Sequence, residues 1–301
     1  MKNSTLFLLG LAALSPLTSA LAANGTWSGG GGNTNYSNTA NWSGGTVASG
    51  TGATATIATT GTITVDAAAT IANLTGSFSN GTSLVLTSSN SATLTLAASS
   101  ATPTFNLSNW FSRYDYFTSI NFAGTQGLSF IDKSNALVLQ SGVTWMGFSG
   151  GFTIAPSTDG SMVTYAQASN TLPAVDLTMT PGTSTGGYGD TKLVLNGGTT
   201  QTIGALNSTT SGSNTTYISS YTSGSDLTGG TPSGTNTASS FATLTIGSTS
   251  SSGSFVGKIG TGYANSSKAE DATAYYINLT KRAARACRRS PARTIMRARR
   301  M

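Results

Sequence analysis

Short runs in which apolar and small polar residues alternate, separated by clusters of Gly, Ser, Thr and Asn, are what most limits the folds open to this chain. Leu193-Val194-Leu195, Thr243-Leu244-Thr245-Ile246 and Tyr276-Ile277-Asn278-Leu279 are clear cases. A period of two bounded by turn residues reads as β-strand, and each run is short. Between residues 54 and 107 the runs ATIA, TITV, IANLT, SLVL, ATLTL and TFNL follow one another closely. In them Leu74, Leu86, Leu96 and Leu107 recur at intervals of 12, 10 and 11. That spacing predicts two strand-plus-turn units per rung of a coil, hence a rung of roughly 20 residues, ten to twelve rungs and a rod on the order of 50–60 Å long. No convincing amphipathic helix lies between residues 24 and 280.

Composition supports a solenoid over disorder. Only 8% of residues are charged, against about 25% in ordinary globular chains. Leu, Ile, Val and Phe nevertheless recur throughout at strand spacing. A solenoid accepts small polar residues in its corners and outer faces while one or two apolar residues per strand fill its interior. The net charge of +6 comes from the tail: residues 281–301 hold nine of the fifteen Lys and Arg and no acid. Residues 24–280 carry five basic residues against nine acidic ones, 5 − 9 = −4. The body thus has no basic stripe and is not expected to bind nucleic acid. Cys287 is the single cysteine, so the body is held without disulfides.

At the start, Lys2, the apolar centre from Leu6 to Leu14 and the small residues Ala20 and Ala22 read as a secretory signal over residues 1–22, with cleavage after Ala22. Read as a membrane anchor, the apolar stretch is too short and is interrupted by Ser15-Pro16. No transmembrane segment is expected in the mature chain, and the expected location is secreted or cell-surface.

The phrases NGGTTQTIGALN, ATLTIGS, GSFVGKIG and INLTK, in this order between residues 193 and 281, resemble the autotransporter-associated β-strand repeat. The Trp- and Gly-rich opening NGTWSGGGGNTNYSNTANWSGG is similar to that family's lead-in, and WMGFSGGFTIA looks like one of its rungs. The resemblance implies an all-β, right-handed parallel β-helix with irregular Gly/Ser/Thr loops, in a bacterial passenger displayed at or beyond the cell surface. It implies no cofactor. The expected organisation is a signal at 1–22, a lead-in and cap at 23–49, a solenoid at 50–280 and a basic tail at 281–301. Trp27, Tyr36 and Trp42 are read as the cap covering the first rung, with sugar stacking as the alternative. Loops are expected at 180–190 and 219–240, and turns at Pro156, Pro173 and Pro181. The tail RAARACRRSPARTIMRARRM breaks the repeat abruptly. Read from the third base of the Ser290 codon, its permitted codons allow TGANNYAGATN, close to a family phrase, so the tail reads as a repeat in a shifted frame and the passenger as truncated.

The densest aromatic stretch is NWFSRYDYF, residues 109–117. Arg113 and Asp115 precede Asp132 and Lys133 by about one expected rung. Stacked on one face, these four would resemble the groove of a polysaccharide lyase or glycosidase, where paired carboxylates act on a glycosidic bond. Trp110, Tyr114 and Tyr116 would suit a carbohydrate-binding face. The plainer reading is a loop tucked onto the coil. With no His and no carboxylate cluster, neither a metal nor a base of that type is expected. The leading reading is a non-enzymatic, structural or adhesin-like rod that meets a polysaccharide, surface or matrix. A polysaccharide-active β-helix and a carbohydrate-binding module are the alternatives.

Overall fold

The computed structural model describes residues 21–76, 83–107, 114–132, 136–157, 160–183, 189–212, 214–221, 241–249, 251–260 and 277–282. The chain winds as a parallel β-solenoid with three strands to a rung. After β1 (Gly25–Trp27) and two single-turn 3-10 segments, the first rung is β2 (Thr54–Ile57), β3 (Gly61–Val65) and β4 (Ala69–Ile71). The next is β5 (Asn73–Gly76), β6 (Leu84–Ser88) and β7 (Thr93–Leu96). Then come β8 (Thr104–Asn106), β9 (Tyr114–Phe117) and β10 (Asn121–Ala123), followed by β11 (Leu128–Asp132), β12 (Ala136–Leu139) and β13 (Thr144–Met146). Among the described residues the fifth rung has only β14 (Phe152–Pro156) and β15 (Met162–Ala166). The sixth has β16 (Leu177–Met179), β17 (Thr191–Asn196) and β18 (Thr200–Ile203), and the seventh β19 (Leu206–Ser208), β20 (Thr216–Tyr221) and β21 (Ala242–Ile246). β22 (Lys258–Ile259) and β23 (Ile277–Lys281) close the described part.

Like strands of successive rungs pair in parallel. The first face runs β1-β2-β5-β8-β11-β14-β16-β19 and the second β3-β6-β9-β12-β15-β17-β20-β22. The third is in two pieces, β4-β7-β10-β13 and β18-β21-β23. The expectation of two strands per rung is therefore corrected. Leu74, Leu86 and Leu96 belong to three faces of one rung, and Leu107 follows the first strand of the next. The rungs are also unequal in length. Along the column Ala55, Leu74, Phe105, Phe130, Ile154, Met179, Ser208 the shortest step is from Ala55 to Leu74 and the longest is the next one, to Phe105. Every step after the first exceeds the expected rung. Among the described residues the longest sheets stack eight strands over about 35 Å, shorter than the ten to twelve rungs expected.

Alternation places one column of each strand inside. On the first face Ala55, Leu74, Phe105, Phe130, Ile154 and Met179 are buried, while Thr54, Asn73, Thr104, Ser129, Thr153, Thr178 and Asn207 form an outer file. In the third rung every face contributes a phenylalanine to the axis. Phe105, Phe117 and Phe122 stand 5.5–6.0 Å apart, and Phe130 of the next rung lies 5.9 Å from Phe117. Where the fifth rung has no third strand, Gln201 of β18 makes good the loss. Its buried amide accepts from the Leu172 N–H at 3.1 Å and donates to the Ala168 carbonyl at 2.6 Å, imitating a ladder for a segment that is not a strand.

The N-terminal end is closed by the residues expected there. Trp27, Tyr36 and Trp42 are each 3% exposed, in edge-on contact at 5.5 and 4.8 Å. Trp42 donates its indole N–H to the Tyr36 carbonyl, and the Tyr36 hydroxyl donates to the Ala48 carbonyl. Rings so enclosed serve as a plug, and sugar stacking on them is ruled out by their burial. At the corner after β13, a Cβ at Gly150 would collide with the backbone of Gln126 and Gly127 in the rung below, so only glycine fits there. Two loop expectations change. Ser219 and Ser220 are buried in β20 rather than in a loop. Residues 180–183 and 189–190 form a pinched stem, with Thr180 N–H on the Ile154 carbonyl and Gly182 N–H on the Gly189 carbonyl. Pro156 ends β14 instead of marking a free turn. The expected basic tail beyond residue 282 lies outside the described residues.

Candidate functional site

The outer surface of the second face is set apart by its tyrosines. The first face presents Thr, Asn and Ser along one outer file and Thr56, Thr75, Asn106, Ile131 and Ala155 along the other. The third presents Thr93, Thr95, Asn121, Ala123, Thr144 and Met146, then Thr200, Thr202, Thr243 and Thr245. On the second face one outward column reads Tyr114, Ala136, Val163, Lys192, Tyr217, Lys258. The adjacent column reads Thr62, Val85, Tyr116, Val138, Tyr165, Val194, Ser219.

These side chains build a roof. Tyr114 and Tyr165 belong to strands on either side of β12, about 9.6 Å apart at parallel spacing. Their ring centroids are 6.3 Å apart, and Tyr114 is also 6.3 Å from Tyr116. The rings from β9 and β15 thus lean over β12, where Ala136 is 7% exposed and Val138 is fully buried although both point outward. Aromatic and β-branched neighbours across strands stabilise a sheet by roughly 0.2–1 kcal/mol per pair. Burial first, then the neighbouring Tyr114 and Asp115, push the Tyr116 phenol up. Further along, the Lys258 ammonium sits 5.6 Å from the centre of the Tyr217 ring.

Lys192 lies between Val163 and Tyr217 in the same file. Burial pushes its ammonium down to about 8, with Asp190 opposing the shift. The folded chain therefore penalises the charged form, and below that value the penalty is present in full. As pH rises toward the unfolded value near ~10.4, the folded chain has released a proton that the unfolded chain keeps, so stability rises across that window. The unfolded tyrosines ionise near ~10 and reverse the trend above that, because burial raises Tyr36. The expected result is a melting temperature that climbs between about pH 7.5 and 9.5. Lys192→Met should lack the climb, and an equal slope in that variant would contradict the assignment.

Of the four charges expected to meet in a groove, the two that are described, Asp115 and Asp132, do not stack. Asp115 stands opposite Leu137 one rung on, in the second face, and Asp132 stands opposite Pro156, in the first face. A full rung from Asp115 thus passes beyond Asp132 and lands on a different strand, so the expected offset does not align the two carboxylates. Both are fully buried. The Asp115 carboxylate accepts from the Leu84 backbone N–H at 3.0 Å, pinning the previous rung. Arg113, Lys133 and Trp110 lie outside the described residues. Of the expected glycan-stacking residues, Tyr114 and Tyr116 do share the outer surface. Among the described residues no group of three or more His, Cys, Asp or Glu is placed to hold a metal, and no helix is long and apolar enough to cross a membrane.

No family model, curated protein or solved structure matches this chain. The geometry therefore carries the functional reading alone. Tyr165, Lys192, Tyr217 and Lys258 escaped the sequence reading because each is a lone outward residue in an otherwise ordinary strand. The one available signal was position: every one of them falls on the outward phase of its strand, which this chain fills mostly with Thr, Ser, Asn, Ala and Val.

Proposed function

We propose that the protein is an exported, non-enzymatic rod of the autotransporter-associated repeat type, acting as a structural or adhesin-like element at or beyond the cell surface. The observation that supports it best is how four of the five described carboxylates are used. Asp66 accepts from the backbone and hydroxyl of Ser37, Asp115 from Leu84, Asp176 from Ala205 and Thr249, and Asp190 from Thr215. Each fastens one segment of the coil to another, a building role. Export is supported by the signal-like sequence of residues 1–22, and the fold is compatible with its removal: Ala23, the residue after the expected cleavage point, exchanges two backbone hydrogen bonds with Ser49 at 2.8 and 2.9 Å. A free amino group at Ala23 keeps both. The test is expression of the full chain in a Gram-negative host, with fractionation and N-terminal sequencing. A product beginning at Ala23 outside the cytoplasm is expected. An uncleaved chain retained in the cytoplasm would overturn the reading.

A carbohydrate-binding role is the second reading. The tyrosines of the second face favour it, since Tyr114, Tyr116 and Tyr165 form an outward aromatic surface.

A further inference from the structure

We infer that the outer surface of the second face, carrying Tyr114, Tyr116, Tyr165, Tyr217 and Lys258, binds an extended anionic polysaccharide lying along the coil axis. The inference deepens the carbohydrate-binding reading by naming the class of polymer and three further residues. Three features converge. First, the surface is a flat file: from β9 to β22 six strands stack in register, a length of about 24 Å, which suits a chain of sugars better than a small molecule needing a cavity. Second, its covering is aromatic. The rings that roof Ala136 and Val138 offer the broad apolar surface against which the C–H face of a pyranose packs. Third, its charge is of one sign. Lys258 adjoins Tyr217 in its column, while Lys192 on the other side of Tyr217 is buried, and among the described residues neither outward column holds an acid. Asp190, two residues before Lys192, is the acid facing that end, and its carboxylate is engaged by the Thr215 N–H. Lys258 is exposed, so the ammonium held over Tyr217 has an open side for a carboxylate or sulfate. The tyrosines alone would accept a neutral glycan; the exposed ammonium of Lys258 makes an acidic one the better partner through charge complementarity.

The test measures retardation of the purified full chain in native gels containing polygalacturonate, alginate or the neutral polymer galactomannan, with titration of single-stranded oligo(dT) as the nucleic-acid arm. Binding to at least one polyuronate is expected, about tenfold tighter than to galactomannan or oligo(dT). The double variant Tyr116→Ala/Tyr165→Ala should weaken it by about tenfold. Tyr116→Phe/Tyr165→Phe should bind as the parent does, because the rings remain. Lys258→Gln should weaken binding and flatten its dependence on salt, since an exposed charge acts through screened attraction. Thr153→Ala/Thr178→Ala on the first face should change nothing. If the tyrosine-to-alanine pair lowers the melting temperature, Lys258→Gln decides the question alone. The inference fails if neither polyuronate binds, if galactomannan or oligo(dT) binds as well or better, if Lys258→Gln leaves affinity and salt dependence intact, or if the first-face variant loses as much. Export is measured separately, so either result can fail without the other.

Discussion

Phe117→Ala is expected to destabilise the coil by about 3–5 kcal/mol, the usual loss for a large aromatic removed from a tight core. Phe117 is 1% exposed and is the ring that Phe105, Phe122 and Phe130 all touch, at 5.5–5.9 Å. It therefore joins three faces of one rung to the next rung, and its loss leaves a cavity on the axis that no neighbour can fill without leaving its own strand register. Solenoid stability is close to a sum of rung and interface terms. A break in the third rung thus uncouples the N-terminal rungs from the rest. Urea unfolding should show a lower midpoint and a broader or divided transition. Phe117→Leu, which refills part of the volume, should recover much of the loss. A change below about 1 kcal/mol for the alanine variant, the level of an ordinary substitution, would show that the axial cluster does not hold the rungs together.

Leu244→Asp should be comparably severe but local. Leu244 is fully buried and stacks between Gln201 and Leu279 on the third face. An unpaired carboxylate there costs several kcal/mol. Thr243→Asp and Thr245→Asp, on the outward phase of the same strand, should change stability by only about 0.5 kcal/mol. Ile246→Asp should fall between them, because Ile246 is only half-buried against the core. Since β21 belongs to the seventh rung, hydrogen exchange should rise in β18, β21 and β23 while the axial phenylalanine rungs stay protected. Equal effects at Leu244 and Thr245 would show that the strand faces the other way.

The strands and the direction of their side chains could be read from local pattern. Leu74, Leu86, Leu244 and the outward threonines declare themselves because a strand alternates with a strict period of two, a property of each short segment alone. The Trp27, Tyr36 and Trp42 plug was legible for a similar reason: large rings in a Gly- and Asn-rich opening have one economical place, the uncovered end of the first rung. How many strands make a rung, and hence which residues become neighbours, emerged only from the assembled coil. The spacing of Leu74, Leu86, Leu96 and Leu107 reports the distance from one strand to the next but not the angle of the corner between them, and two or three strands per rung satisfy it equally. Unequal rungs further hide the register, since loops of different length enter at the corners; the short step from Ala55 to Leu74 is followed at once by the long one to Phe105. For that reason Asp115 and Asp132, close in the chain, lie on different faces, while Tyr116 and Tyr165, two rungs apart, flank Val138 on the same one. Side-chain direction is set by local backbone geometry, but adjacency on a solenoid surface is set by hydrogen-bond register summed over every loop between.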